Sequence, residues 1–487
     1  MSDKINKSSV LSSLFWKFME RGGSQGIQFV MQIILARLLF PEDYGIIALV
    51  TIFISLASVF VQSGLNTALI QKKNADEVDF SSVFYLNLSL AVLFYTLLFF
   101  ASPSIANFYR QPELKLVLRV LSLTLFFGAF NSIQISFVAR NMLFKKQFFS
   151  TLGAVFVSGI VGITAAYRGL GVWALVIQQL TRQAMLILLL WHLVKWRPHL
   201  VFSIKRAKVL FSYGWKLLAS GLLNTIYMDI RTLIIGRIHS PAALGFYNRG
   251  KQFPQVIVSN IDGSIQTVML PTLSSQQENK NRVKDMVRRS IITSSFIMFP
   301  MMAGLAVVAE PMVRILLTEK WMKAVPFIQI FCISYSLMPI HTANLQAIQA
   351  VGRSDIFLKL EIIKKIYGLV LLAISVPFGI YAMAWSSVLS GVVSSFVNAH
   401  PNKELLDYSY KEQWRDIMPS LSIALVMGVI VYLINFLNIA AWQILILQII
   451  TGAVLYFGFA KMFAIESFDY LTTTMKELVI RRKRKAA

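Results

Sequence analysis

Long stretches of this chain, such as Tyr44 to Gln71, Phe80 to Tyr109, Phe148 to Tyr167 and Ile417 to Ala460, carry no charged side chain. Each reaches or exceeds the roughly 20 residues a helix needs to cross the hydrocarbon core of a bilayer. With 56% hydrophobic and 14% charged residues, the latter clustered, nothing is left over for a water-soluble domain. The chain therefore reads as an all-α integral membrane protein. Apolar segments between polar breaks predict about fourteen transmembrane helices: 13–40, 44–70, 80–105, 116–138, 148–167, 169–194, 213–237, 243–272, 291–317, 325–350, 361–378, 380–399, 416–437 and 440–463.

Lysine and arginine set the expected orientation. With a cytoplasmic N-terminus, alternate loops hold Lys72 and Lys73, then Arg140, Lys145 and Lys146, then the run from Lys195 to Lys208, then Lys280 to Arg289, then Arg353 and Lys359, then Lys403 to Arg415, and last Arg481 to Lys485. The opposite loops offer little beyond Arg110, Lys115, Arg168, Lys320 and Lys323. The positive-inside rule then puts both termini in the cytoplasm. It also accounts for a net charge of +24 without a nucleic-acid partner, since the basic residues form no stripe with interleaved aromatics. The N-terminal segment is not expected to be a cleaved signal peptide, because Phe15 to Leu39 belongs to a repeated unit longer than a signal's apolar core. Cys332 is alone in a span and is expected to be a small buried apolar residue.

The repeat has a period of about 200 residues. Arg37, Pro41 and Gly45 return as Arg237, Pro241 and Gly245, and Gln62, Leu65, Asn66 and Thr67 as Asp262, Ile265, Gln266 and Thr267. Trp16-Lys17 is echoed by Trp215-Lys216, and the turn at Gly169 more weakly by that at Gly379. The expected organisation is two parallel six-helix lobes related by a pseudo-two-fold axis, with two further helices at the C-terminus. Residues 1–194 would form the N-lobe, 195–212 a cytoplasmic linker, 213–399 the C-lobe, 400–463 helices thirteen and fourteen, and 464–487 a basic cytoplasmic tail.

Polar stripes run inside the expected spans. Arg21, Gln25, Gln28 and Gln32 share a face of the first helix, and Thr51, Ser55, Ser58, Gln62 and Asn66 a face of the second. Their repeat partners are Ser220, Asn224, Tyr227 and Arg231 in the seventh and Lys251, Gln255, Asp262 and Gln266 in the eighth. Glutamines and serines can simply join helices, each hydrogen bond contributing roughly 0.6 kcal/mol in a membrane. Charges at mid-bilayer cost about 2.5 to 3.5 kcal/mol, so Arg231, Lys251 and Asp262 call for a wet cavity or partners. Lys251 and Asp262 lie about 16 Å apart along one helix face, too far to pair directly. Four stripes in equivalent helices predict one hydrophilic lumen between the lobes, exposed alternately to either side. Its charge leans basic, with Arg21, Arg231 and Lys251 against Asp262, and with Arg249, Asp229 and Glu20 on neighbouring faces. A cationic cavity suits an anionic passenger. Arg182 is a further mid-span charge that could instead snorkel to the membrane face. His341 in the tenth helix reads as a hydrogen-bonded structural residue rather than a proton carrier.

Several motifs together resemble the polysaccharide transporter, or O-antigen flippase (Wzx-type), family of the multidrug/oligosaccharidyl-lipid/polysaccharide exporter superfamily, with the colanic acid exporter branch the nearest. They are Ala36-Arg37-x-x-x-Pro41-x-x-Tyr44-Gly45, Ala68-Leu-Ile-Gln71-Lys72-Lys73, Gly245-Phe-Tyr247-Asn248-Arg249 with Pro254, Pro271 closing the eighth helix, and Glu319-Lys320-Trp321 followed by Pro326. The resemblance implies a fourteen-helix fold whose first, second, seventh and eighth helices line a central cavity. It also implies the cargo, an undecaprenyl-diphosphate-linked oligosaccharide repeat unit carried from the cytoplasmic to the periplasmic leaflet of the bacterial inner membrane for lipopolysaccharide or exopolysaccharide synthesis. Related peptidoglycan-precursor flippases carry an arginine–aspartate pair late in the first helix; here those positions are Met31 and Gln32, which argues against that cargo.

The substrate-binding residues expected on these grounds are Arg21, Gln25, Gln28, Gln32, Gln62, Asn224, Tyr227, Arg231, Arg249, Lys251 and Gln255. Asp229 and Asp262 are candidates for coupling transport to a proton or sodium ion. The expected partners are the lipid-linked oligosaccharide, membrane lipids and the polysaccharide polymerase machinery. Neither metal nor cofactor nor catalytic residue is expected, because no metal-ligand cluster, phosphate-binding glycine loop or activated nucleophile is visible. A multidrug or cation antiporter of the same superfamily is the alternative, and would want an acid-dominated cavity. A membrane-embedded polymerase or ligase is a third, and would want a sizeable outer loop with catalytic arginine or histidine.

Overall fold

The computed structural model describes residues 7–62, 64–72 and 75–486. No strand occurs among them. The helices are α1 (Lys7–Leu38), α2 (Pro41–Gln62), α3 (Leu65–Gln71), α4 (Glu77–Tyr109), α5 (Glu113–Leu121), α6 (Thr124–Arg140), α7 (Phe144–Tyr167), α8 (Val172–Leu193), α9 (Ile204–Ile238), α10 (Pro241–Ser274), α11 (Lys280–Leu316), α12 (Val325–Ser336), α13 (Met338–Ala350), α14 (Ser354–Ser375), α15 (Ile380–Leu406), α16 (Tyr410–Leu433), α17 (Ala441–Met462) and α18 (Glu466–Ala486). Counting α2 with α3, α5 with α6 and α12 with α13, the helices up to α17 form fourteen long units in the expected order.

Ten of the described segments are long and apolar enough to cross a membrane. The chain is a multi-pass membrane protein of helical architecture. Helices α1, α9, α10 and α14 fall short in apolarity though not in length. Three of these, α1, α9 and α10, carry the polar stripes. The C-terminal half departs from expectation at Pro271 and in the tail. Pro271 lies inside α10 rather than ending it, and the basic tail continues as helix α18, which docks on α11 through Phe468 against Phe296 and through Glu466 bonded to Arg288 at 3.0 Å.

The helices gather into two compact units, Met1–Gly245 and Phe246–Ala487. The sequence repeat starts again near Tyr213, so duplication and packing divide the chain at different places. In the first unit α7 lies against both α1 and α8, and α9 runs beside α2, α3 and α4. The span expected at 44–70 breaks between α2 and α3. There Gly64 takes φ +66°, and a Cβ on it would sit 2.7 Å from the Gly214 carbonyl oxygen. Only glycine meets both conditions.

The repeated Pro-to-Gly segments face each other. A Cβ on Gly45 would lie 1.9 Å from the Pro241 carbonyl oxygen, and one on Gly245 2.0 Å from that of Pro41. The first turns of α2 and α10 are thus in backbone contact, glycine against proline in both directions.

Beside α3 and the start of α4, a core of Leu65, Leu69, Phe80, Phe84, Ile133 and Trp196 is closed by polar links. Trp196 Nε1 donates to Glu77 at 2.6 Å, and Arg140 donates to the carbonyls of Leu69 (2.9 Å) and Lys72 (2.6 Å) at the end of α3. Lys146 similarly donates to the Leu193 carbonyl ending α8, at 2.8 Å. These basic side chains satisfy the open carbonyls of helix C-termini. Asp79, fully buried, pairs with Lys72 at 2.6 Å and shares a capping box with Asp76 at the start of α4.

Arg206, in the first turn of α9, bonds Asp76 and holds its carboxyl below the usual carboxylate range. A carboxyl with a depressed folded pKa contributes stability above its ordinary value, near 3.9, and loses it as pH falls through the folded one. Acid should therefore release the start of α9 and expose residues 194–203. Arg206→Gln should move this release to higher pH, read as pepsin cleavage of detergent-purified protein after graded acidification. An unchanged midpoint would remove the pair from this role.

In the second unit α11 is central, touching α12, α13, α16 and α17. Its core includes Val287, Phe296, Phe299, Ile340, Ile417 and Tyr456, and Arg288 binds Asp416 at 3.0 Å at one end. Buried amides tie α13, α15 and α16: Asn344 donates to Gln413 at 2.8 Å, and Asn402 donates to Asn344 at 2.6 Å.

Candidate functional site

Within the first unit, α1, α2, α6, α7 and α8 enclose a cavity of ≈ 360 Å³. Helical periodicity puts Gln28 and Gln32 one turn apart on α1, Ser58 and Gln62 on α2, and Gln178, Gln179, Arg182 and Gln183 along α8. Tyr44, Thr124, Gly128 and Ser158 complete the polar wall, and Met31, Ile47, Ile54, Val155 and Leu175 the apolar one. Close helix approach shapes the wall. A Cβ on Gly159 of α7 would meet Met31 at 2.7 Å, and one on Gly162 would meet Gln178 at 2.8 Å. Two glycines on α7 thereby leave room for side chains of α1 and α8.

Of the residues expected to bind substrate, this cavity gathers Gln28, Gln32 and Gln62. Gln25 is exposed, outside its lining, and the side chain of Arg21 lies outside the described residues. On α9, Asn224 is exposed and contacts Met228 Sδ at 3.6 Å, while Tyr227, Asp229 and Arg231 are half-buried.

Arg182 stands midway along α8 and faces the cavity, not the membrane surface. Its guanidinium has no hydrogen-bond or ion-pair partner among the described residues. Its charge was legible in the sequence. Its companions Gln178, Gln179 and Gln183 did not stand out, because the repeat is weak at this helix and supplies no matching stripe in its partner. A pattern of glutamines at i, i+1 and i+5 around an arginine in an apolar helix was the available signal.

The second unit holds the rest. Arg249 is buried, donates to Gln252 at 2.7 Å and lies over the Trp321 ring at 5.4 Å. Lys251 is half-buried and Gln255 exposed. Asp262 is buried, with Oδ1 lacking a hydrogen-bond partner among the described residues. His341 is buried with Nδ1 3.3 Å from the Asn398 amide, the structural environment expected of it. Cys332 is likewise buried. Among the described residues no group of histidine, cysteine, aspartate or glutamate could hold a metal ion.

Residues 34–326 match a family model described as "Polysaccharide biosynthesis protein". Among curated relatives, the succinoglycan biosynthesis transport protein ExoT of Rhizobium meliloti is 23% identical over 80% of each chain. The teichuronic acid biosynthesis protein TuaB of Bacillus subtilis is 26% identical over 82% of this chain and 84% of its own. The lipopolysaccharide biosynthesis protein WzxC of Escherichia coli is 23% identical over 83% and 85%. Among solved structures, the lipid II flippase MurJ in an inward closed conformation aligns with a TM-score of 0.75 and 16% identity, covering 92% of this chain and 98% of its own. An inward-facing multidrug resistance MATE transporter of the MOP superfamily aligns with a TM-score of 0.59 and 16% identity, covering 79% and 96%. These likenesses establish a shared transporter fold.

Proposed function

Because the chain belongs to the polysaccharide biosynthesis protein family and shares the fold of MOP-superfamily transporters, we propose that it is a flippase for lipid-linked oligosaccharides. The cargo in this reading is an undecaprenyl-diphosphate-linked repeat unit, moved by alternating access from the cytoplasmic to the periplasmic leaflet of the bacterial inner membrane. Both termini are cytoplasmic, as the lysine and arginine distribution favours, and the flipped unit passes to a polymerase. The observation that carries the proposal is the amide-lined cavity with Gln28, Gln62 and Arg182 inside a membrane-spanning bundle. A bundle built only for stability would fill that space with apolar side chains. Amides that can both donate and accept suit sugar hydroxyls. Relatives named for succinoglycan, teichuronic acid and lipopolysaccharide biosynthesis support the same cargo class. The family and fold are those of transporters, so no catalytic residue is assigned.

Arg231 and Lys251 are assigned the cargo's diphosphate, and Asn224 and Tyr227 its sugars, on the register of the polar stripes. Asp262 is assigned a proton or sodium ion that resets the transporter, because a buried carboxylate with one oxygen lacking a partner among the described residues calls for one or the other.

Deleting the gene and extracting both surface polysaccharide and inner-membrane lipids tests the function. Loss of polymer with a complete undecaprenyl-linked unit retained on the cytoplasmic side is expected. Single units already on the periplasmic side would indicate a polymerase instead, and unchanged polymer with new sensitivity to cationic drugs an antiporter. In the complemented strain, Arg231→Ala and Lys251→Ala should each lower transport about tenfold, the loss expected for one charged hydrogen bond. Asp262→Asn should stop turnover while cargo binding persists. Wild-type transport by all three correctly inserted variants would refute these roles.

A further inference from the structure

The cavity of the first unit contains more positive charge than its walls can balance. We propose that it is a binding site for a single sugar ring bearing a carboxylate, of the uronic acid class. The inference deepens the flippase reading, on which its biological meaning rests, by naming one chemical feature of the cargo.

Four observations converge. Arg182 sits midway along α8, about 15 Å from either helix end at 1.5 Å per residue, with no partner among the described residues. A guanidinium at such depth is costly unless an anion or a wet cavity compensates it. Gln28, Gln62, Gln178 and Gln179 line the same cavity, and none of these four amides has a hydrogen-bond partner among the described residues. Finally, ≈ 360 Å³ is room for about a dozen waters at bulk density, on the scale of one sugar ring rather than a chain of them.

The balance of groups selects the ligand. A bare inorganic anion would satisfy Arg182 and the amide NH2 groups but supply no donor of its own to the four amide oxygens, which would be left to water. A neutral sugar would satisfy the amides and leave the guanidinium without its counter-charge. A carboxylate sugar does both: the carboxylate takes the planar fork of Arg182, and the hydroxyls donate to and accept from the amides, with Tyr44 an aromatic neighbour in the same lining.

The test uses the full chain purified in detergent, with thermal unfolding followed under added sodium D-glucuronate, D-glucose or sodium chloride at equal concentration. Glucuronate should raise the unfolding temperature saturably, as a ligand of the folded state does, with glucose weaker and chloride without effect. Arg182→Gln should weaken the apparent affinity at least about tenfold, and Arg182→Lys should restore part of it. Gly128→Leu is the second route to the same outcome. A Cβ at Gly128 meets nothing within 4 Å, so the larger side chain fills the cavity without disturbing the backbone. Arg206→Gln, remote from the cavity, should respond like wild type. The proposal is overturned if wild type shows no saturable response to glucuronate, if chloride or glucose matches it, or if Arg182→Gln and Gly128→Leu both respond as wild type. Should Arg182→Gln not fold, Gly128→Leu decides alone. Because the readout is a free monosaccharide on purified protein, it stands or falls separately from the gene-deletion experiment that tests the flippase reading.

Discussion

Valine at Gly45 or Gly245 is expected to leave little or no folded protein. The Cβ positions fall 1.9 and 2.0 Å from carbonyl oxygens of Pro241 and Pro41, against a closest real approach near 3.0 Å. The two backbones would have to part by about 1 Å, and no side-chain rotation can relieve a clash with a carbonyl. Overpacking in a yielding core typically costs about 1–3 kcal/mol; here the obstacle is main chain, so the cost should exceed that range. A domain holds only about 5–15 kcal/mol in total. Size-exclusion profiles of a fluorescently tagged chain should lose the monodisperse peak for Gly45→Val and Gly245→Val, and shrink it for the two alanine variants. A wild-type profile for Gly45→Val would show that α2 and α10 do not make this contact.

The second large effect is expected at Trp321. It is the largest fully buried side chain among the described residues, meets Phe246 edge-on at 6.0 Å and lies under Arg249. Removing an indole from such a site costs about 3–5 kcal/mol. Trp321→Ala should therefore lower the unfolding temperature sharply, and Trp321→Phe by less. Gly250 approaches the same wall, where a Cβ would fall 2.4 Å from that of Phe327, and Tyr247 lies against Phe327 and Phe331 at 5.7 and 5.2 Å. An unchanged unfolding temperature in Trp321→Ala would mean that this wall does not support α10.

These two sites show what the motifs behind the family resemblance do. Pro41 to Gly45 meets Pro241 to Gly245, and Phe246, Tyr247 and Arg249 meet Trp321 and Phe327. The fold was legible because apolar length and the spacing of breaks are local properties. The repeat was legible in part because the close main-chain contact at Gly45 and Gly245 leaves no room for a side chain. Part of the lining of the first unit's cavity was legible, though the expected lumen was one between the lobes. Gln28, Gln32 and Gln62 stood out through helical spacing, while Gln178 and Gln179 became meaningful only once α7 placed α8 opposite α1. Arg249, expected among the substrate-binding residues on its charge, lies over an indole, because an arginine has both a charge and a flat apolar face. The break at Gly64 could not be foreseen, since it depends on the passing backbone at Gly214, far away in the sequence.

The reciprocal contact between α2 and α10 carries a consequence for how such a chain could arise. Glycine of each segment meets proline of the other, so the patch is self-complementary. That is the rule for an isologous interface, the kind by which two identical subunits form a closed pair. A polypeptide with a single copy of the segment would already carry both sides of the contact. Two such half-length chains could associate through it, and fusing their genes would preserve the join with no new surface to invent.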